Sequence, residues 1–149
     1  MSFFDPLKLE YIDGRTWKVD AEFRYEAELR YENPTQRLVK APIVVPAGTL
    51  TDFASIPRFF WRVLPPTGEY GKAAVVHDYL YQNIGRVGER ELSREQCDLV
   101  FREAMRCLGV SPWKRQAMYQ AVRMFGWKAW GDHKKRLTAL YEQENPTRK

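Results

Sequence analysis

The first third of the chain reads as strands, with two stretches that alternate apolar and polar side chains at a period of two. Leu7-Lys8-Leu9-Glu10-Tyr11-Ile12 and Trp17-Lys18-Val19-Asp20-Ala21-Glu22-Phe23-Arg24-Tyr25 each put their apolar members on one face. The Asp13-Gly14 dipeptide between them is a strong hairpin signal, so the pair predicts a β-hairpin with one buried face. Asn33-Pro34-Thr35 punctuates the pattern, and the β-branched run Ile43-Val44-Val45, closed by Pro46-Ala47-Gly48, supplies a third strand.

From Ser55 the period changes to 3.6. Ser55 is placed to cap a short helix over Ile56 to Val63, with Pro57 in its first turn and Pro65-Pro66-Thr67-Gly68 as its stop. A second helix is predicted from about Tyr70 to Asn83, where Ala73, His77, Leu80, Tyr81 and Ile84 share one face with His77 at its centre. Ser93 with Gln96 reads as a capping box opening a third helix, whose stripe is Cys97, Val100, Phe101, Ala104, Met105 and Leu108 and whose end is Gly109. Asp98 flanks that stripe by about 100°. Ser111-Pro112 opens a fourth helix running to about Trp130, Gly131-Asp132 breaks and recaps the chain before His133 to Tyr141, and Glu142 to Lys149 reads as a frayed tail. The expectation is one α+β domain: residues 1–54 mainly β, 55–141 mainly α and 142–149 a flexible tail, with a small N-terminal antiparallel sheet packed on three or four helices.

Composition narrows the chemistry. The 149 residues include 5 Trp, 8 Tyr and 8 Phe, too much packing material for a disordered chain. Two Cys and two His exclude a disulfide scaffold and a zinc finger. Cys97 and Cys107 fall on one helix about 15 Å apart, beyond disulfide reach. The N-terminus lacks a secretory pattern and no apolar run approaches the roughly 20 residues of a membrane span, so the expected location is the cytoplasm in which the chain is made. Residues 1–85 hold 10 basic and 11 acidic side chains, whereas residues 86–149 hold 14 and 8. The formal charge of +5 is therefore a property of the helical half.

Two stretches stand apart from amphipathic patterning. Thr51-Asp52-Phe53-Ala54-Ser55-Ile56-Pro57-Arg58 joins sheet to helices; it reads as a junction of turns and caps, or as a place where Asp52 serves a metal or substrate. His77-Asp78-Tyr79-Leu80-Tyr81 sets His77 and Tyr81 on one helical face and turns Asp78 aside. Asp98 on an antiparallel neighbour would meet the His77 ring, fix its tautomer and stabilise imidazolium, the arrangement of a general base with its orienting acid. The same two residues also make a buried, mutually satisfied structural pair.

The segments T-D-F-A-S-I-P-R, P-P-T-G-x-Y-G-K-A-A, H-D-Y-L-Y, C-D-L-V-F-R-E-A-M and Phe125-Gly126-Trp127 together resemble an uncharacterised family of tailed bacteriophages and prophages, over most of residues 40 to 130. H-D-x-x-Y followed by C-D on the next helix is also similar to the phospholipase A2 superfamily, in particular the disulfide-poor form within parvovirus capsid proteins. That likeness implies a phospholipase A2-like helical core with His77 as general base, Asp98 as its partner and Tyr81 bonded to the dyad. It implies Asp78 as a ligand of Ca²⁺ and hydrolysis of a membrane lipid ester. The superfamily draws further calcium ligands from a Gly-rich loop about twenty residues before the histidine, where this chain has Ile56-Pro57-Arg58-Phe59-Phe60. Either Asp52 and the carbonyls around Gly48 to Phe53 complete the site, or the dyad persists without a metal.

Trp127, Lys128, Trp130, Lys134, Lys135 and Arg136 combine amphipathic aromatics with cations, as a membrane-binding or protein-binding surface does. No helix-turn-helix, RNP or zinc motif accompanies the charge, and nucleic acid is not an expected partner. Two functions follow from the sequence. One is a phage-encoded, phospholipase A2-like hydrolase acting at a phospholipid surface from the host cytoplasm or the virion. The other is a non-enzymatic virion or assembly component, or a factor that binds a host protein.

Overall fold

The computed structural model describes residues 2–3, 5–29, 39–53, 56–62 and 70–146. Strands β1 (Ser2–Phe3), β2 (Leu9–Asp13), β3 (Thr16–Val19), β4 (Phe23–Leu29), β5 (Val39–Val45) and β6 (Leu50–Thr51) precede a 3-10 helix at Arg58–Arg62. Then come α1 (Gly71–Gln82), the hairpin β7 (Arg86–Val87) and β8 (Arg90–Glu91), α2 (Arg94–Cys107), α3 (Pro112–Phe125) and α4 (Trp127–Glu144). The fold is α+β.

The Asp13-Gly14 hairpin forms as expected, with Tyr11 opposite Trp17 and Asp13 opposite Thr16. Gly14 takes a left-handed φ of 45° in the turn. The long alternating stretch from Trp17 to Tyr25 does not form one strand. It supplies β3 to the antiparallel sheet β2-β3-β6 and β4 to a second antiparallel sheet, β1-β4-β5. The chain leaves the first sheet at Asp20, whose N–H donates to the Lys8 carbonyl at 2.9 Å, while Val19 N–H donates to Thr49 O at 2.8 Å. Period two marks the residues that face the core and says nothing about which partner strand they bond. In the second sheet the opposed pairs Phe23 with Val45 and Tyr25 with Ile43 are buried and form its inner face.

The expected helix at Ile56 to Val63 is a single 3-10 segment, Arg58–Arg62, begun by the Phe60 N–H bond to Pro57 O at 3.0 Å. Ser55, Val63 and the stop at Pro65 to Gly68 lie outside the described residues. The Ser93–Gln96 capping box forms reciprocally, at 3.1 and 2.9 Å. Gly109 ends α2 with a φ of 79°, and Val110 N–H reaches back to Met105 O at 3.1 Å, a Schellman closure. Ser111 and Pro112 hold the N-cap and first position of α3, but the Ser111 hydroxyl makes no cap bond.

The break in the last helices falls at Gly126, not at Gly131-Asp132. Gly131 sits inside α4 with nothing within 4 Å of a notional Cβ, so no contact there forces an interruption. Helix α4 also carries the chain to Glu144, into the segment expected as a tail, while residues 147–149 lie outside the described set.

Helix α1 occupies the centre, against α2, α4, β5 and β6. Gly71, Ala73 to Asp78, Leu80 and Tyr81 are all buried, far more than the one stripe of a surface helix. That enclosure brings Asp78 and His77 into the interior, where Asp98 of α2 is buried as well. Among the described residues Cys97 is buried and Cys107 exposed, and neither forms a disulfide. Among the described residues no helix is long and apolar enough to cross a membrane.

Candidate active site

Helix α1 supplies His77, Asp78 and Tyr81; α2 supplies Asp98; α3 supplies Arg123. His77 Nε2 lies 2.7 Å from Asp98 Oδ1, and Tyr81 Oη donates to the same oxygen at 2.7 Å. Arg123 donates to Asp98 Oδ2 at 2.7 Å, with Arg94 3.6 Å from that atom. Arg94 also donates to the Val122 and Arg123 carbonyls, which ties α2 to the end of α3. The His77 ring is held between Tyr81, 4.3 Å away between centroids, and Phe101, 4.7 Å away.

Burial opposes the charge on Asp98, but the bonds from His77, Tyr81 and Arg123 outweigh it and hold the carboxyl below the usual carboxylate range. Burial, reinforced by Asp98, pushes the Tyr81 hydroxyl well up, so it stays protonated and donating. The same two causes raise the Cys97 thiol, which makes it a packed, unreactive group. A histidine paired through one nitrogen to a fixed carboxylate is placed as a general base is. His77 itself has 0% exposure, so the ring is sealed from solvent in this structure.

Asp78 faces away from this network, as the helical geometry predicts. Its Oδ2 accepts from Thr51 Oγ1 at 2.5 Å and from Gln82 Nε2 at 3.3 Å, and the Asp52 backbone N–H also bonds its carboxylate. Burial, with the Asp52 charge adding to it, pushes the Asp78 carboxyl up to about 7, against the pull of those donors. Asp52 is exposed, in a cleft of about 280 Å³ shared with Thr16, Leu50, Gln82, His133 and Arg136. Burial first, then the Arg136 charge, lowers the pKa of His133.

These residues do not fit Ca²⁺, which needs six to eight oxygens. Asp78 is surrounded by hydrogen-bond donors, and Asp52 turns its N–H toward it where a ligand carbonyl would be required. Among the described residues no three His, Cys, Asp or Glu side chains gather as a metal site. The bonds that Asp78 and Asp52 make here therefore lend no support to their expected role as metal ligands. Asp78 is a hydrogen-bonded strut that fastens β6 to α1, helped by Gln82, whose Nε2 donates to Leu50 O at 2.6 Å.

The expected surface on α4 is divided by the structure. Trp127, Lys128, Lys134 and Lys135 are exposed. Trp130 is half-buried with its ring edge-on to Tyr81 at 5.1 Å, and Arg136 donates to Gln82 O at 3.2 Å. Sequence reasoning missed Phe59, Met124 and Phe125, which are exposed near Trp127; the Phe59 and Phe125 rings meet at 5.9 Å. It also missed Arg123. The signal was present: Arg123 follows the inward Ala121 and Val122 on α3 as Asp98 follows Cys97 on α2, so opposite charges flank two facing stripes.

Gly126 is the hinge between this surface and the site. A Cβ there would stand 2.4 Å from Val122 O and 2.5 Å from Tyr81 Oη. Gly126→Ala is expected to destabilise the chain by about 1–3 kcal/mol, because either the helix junction or the Tyr81 hydroxyl must move. Urea unfolding measures the cost, and a change below about 0.5 kcal/mol would contradict the close approach.

Residues 17–122 match the model of a family described as a protein of unknown function, DUF1353. That span contains His77, Tyr81 and Asp98 and stops just short of Arg123. The chain is similar to the uncharacterized protein y4jT of Sinorhizobium fredii (strain NBRC 101917 / NGR234), at 37% identity over 106 residues. The alignment takes in 70% of this chain and 29% of that protein, so the chain spans under a third of the relative's length. No solved structure matches.

Proposed function

We propose that this chain, which belongs to the DUF1353 family, is a hydrolase of membrane lipid esters that uses His77 and Asp98 as a phospholipase A2-like dyad. The observation that carries this reading is the 2.7 Å approach of His77 Nε2 to Asp98 Oδ1, with Tyr81 bonded to the same oxygen. With Nε2 turned to Asp98, the proton of an attacking water goes to Nδ1, the water oxygen adds to the ester carbonyl, and Asp98 stabilises the imidazolium. The proton then passes to the leaving alkoxide as the tetrahedral intermediate collapses. The segments named in the sequence point to a phage or prophage gene, which sets the host cytoplasm or the virion as the place of action.

Turnover on this reading requires the cover of His77 to move. Tyr81 is part of that cover, Gly126 abuts Tyr81, and exposed Met124, Phe125 and Trp127 surround Gly126 with Lys128 beside them. A phospholipid surface that takes up those side chains would act on the junction that holds the cover.

The complete burial of His77 favours a second reading, a non-enzymatic virion, assembly or host-binding protein in which the network only joins α1, α2 and α3. Fatty-acid release from mixed zwitterionic and anionic phospholipid vesicles, with and without calcium, separates the two. The hydrolase reading expects release that falls about 10²- to 10⁴-fold in His77→Ala, the usual contribution of a general base. Equal release from both proteins removes the dyad, and no release from the wild type under any condition removes the lipid-hydrolase reading and favours the second.

A further inference from the structure

A second concentration of charge lies at the far end of α2 and α3, away from Asp98. The last turns of α2 and the first of α3 form an open groove of about 550 Å³, lined by Arg102, Arg106, Arg115, Glu103, Pro112 and Trp113. Arg102 and Arg106 are four residues apart on α2 and stand one above the other, roughly 6 Å along the axis. The Arg102 guanidinium is held 4.7 Å over the Tyr119 ring, and Arg115 donates to Val110 O at 3.1 Å. Arg106 pairs with Glu103 at 3.0 Å. Those contacts orient three guanidinium groups while only Glu103, among the lining residues, opposes their charge. Lys114 adds a fourth cation 5.9 Å from the Trp113 ring, and Trp113 is 63% exposed at the lip of the groove.

The geometry points to a binding site for single-stranded nucleic acid, with Arg102, Arg106, Arg115 and Lys114 on the phosphates and Trp113 stacked on a base. A chain of phosphates can engage the arginines of the groove and Lys114 beside it, with Glu103 opposing only Arg106, and a base is the flat partner that a solvent-facing indole accepts. An acidic amphipathic helix would have to bury an apolar face, and among the lining residues only Trp113 and Pro112 offer one. Charge without a motif did not point to nucleic acid in the sequence. The structure adds the two things that charge lacked, a groove and an exposed ring.

The test is fluorescence anisotropy of labelled dT and rU 15-mers with the full chain, between about 50 and 200 mM salt. Binding is expected, with log K falling against log salt at a slope of about −2 to −3, since each phosphate neutralised on a single strand contributes about 0.7. Arg102→Gln with Arg106→Gln is expected to reduce that slope by about 1.4, and Trp113→Leu to weaken binding about 5- to 100-fold. Arg106 and Trp113 are exposed and Arg102 half-buried, and unchanged far-UV circular dichroism and melting confirm that the variants fold. No binding at 50 mM salt overturns the site. So does an unchanged slope in the double variant, or displacement by poly-glutamate of equal charge as effective as by unlabelled oligonucleotide, which would identify an acidic protein as the partner.

Discussion

Asp98→Ala is expected to lower stability by roughly 3–5 kcal/mol, the cost of removing one side of a buried charge network. The carboxylate is the common acceptor for His77, Tyr81 and Arg123. Without it, a sealed imidazole, a sealed hydroxyl and an inward guanidinium lose their partners together, and each unsatisfied group keeps its own desolvation penalty. For a chain of this size that loss shifts the melting temperature down by about 10 °C or more. Asp98→Asn keeps the volume and one acceptor oxygen, so its expected cost is smaller, about 1–3 kcal/mol. Pairing Asp98→Ala with Arg123→Met should give less than the sum of the single costs, because the second change removes a cation that the first left unpaired. Urea unfolding of the four proteins checks this, and a cost below about 1 kcal/mol for Asp98→Ala would show that the network is not shared in this way. The Asp98 contribution is present above the unfolded-state pKa and is lost only as the pH falls through its lowered folded value.

Asp78 imposes the opposite dependence, in a different window. Its carboxyl is raised from 3.8 to about 7 by burial. Below about pH 3 both states are protonated and the group costs nothing. As the pH rises, the unfolded chain ionises first, so stability falls until about pH 7, where the folded carboxyl also ionises, and then levels off. A shift of about three units corresponds to a total on the order of 4 kcal/mol. Asp78→Asn removes the titration, so the difference in unfolding free energy between wild type and variant should change steadily from pH 4 to 7 and be flat above 8. Parallel curves over that range would place the Asp78 carboxyl near its ordinary value. The Asp98 step lies below this window, so the two effects separate.

The part of the site that was legible in the sequence is the part that helical periodicity controls. His77 and Tyr81 share a face because they are four residues apart, and Asp98 reaches them because it flanks the apolar stripe by which α2 packs on α1. Capping chemistry was equally local: Ser93 and Gln96 bond each other three residues apart, and Gly109 takes the backbone conformation that other residues resist. Asp78 bonds Thr51 and the Asp52 N–H, 27 and 26 residues earlier in the chain, partners that local spacing does not reveal. A single carboxylate beside a histidine has the same sequence signature as a metal ligand or as a strut. Its neighbours decide which.

The sequence by itself determined the α+β class, the hairpin at Asp13-Gly14, the capped α2 and the meeting of His77, Tyr81 and Asp98. Each depends on interactions within a few residues or on one face of a regular element. Only the tertiary structure decided that Trp17 to Tyr25 divides between two sheets, that the helix breaks at Gly126, and that Arg123 closes the network around Asp98. Those outcomes depend on which backbone comes close to which, as Gly126 does to Tyr81, and on how deeply a side chain is enclosed. The broad burial of α1 belongs to the same group: periodicity identified one inward face, and the elements packed around the helix enclosed most of the rest, leaving Lys72, Tyr79 and Gln82 partly exposed.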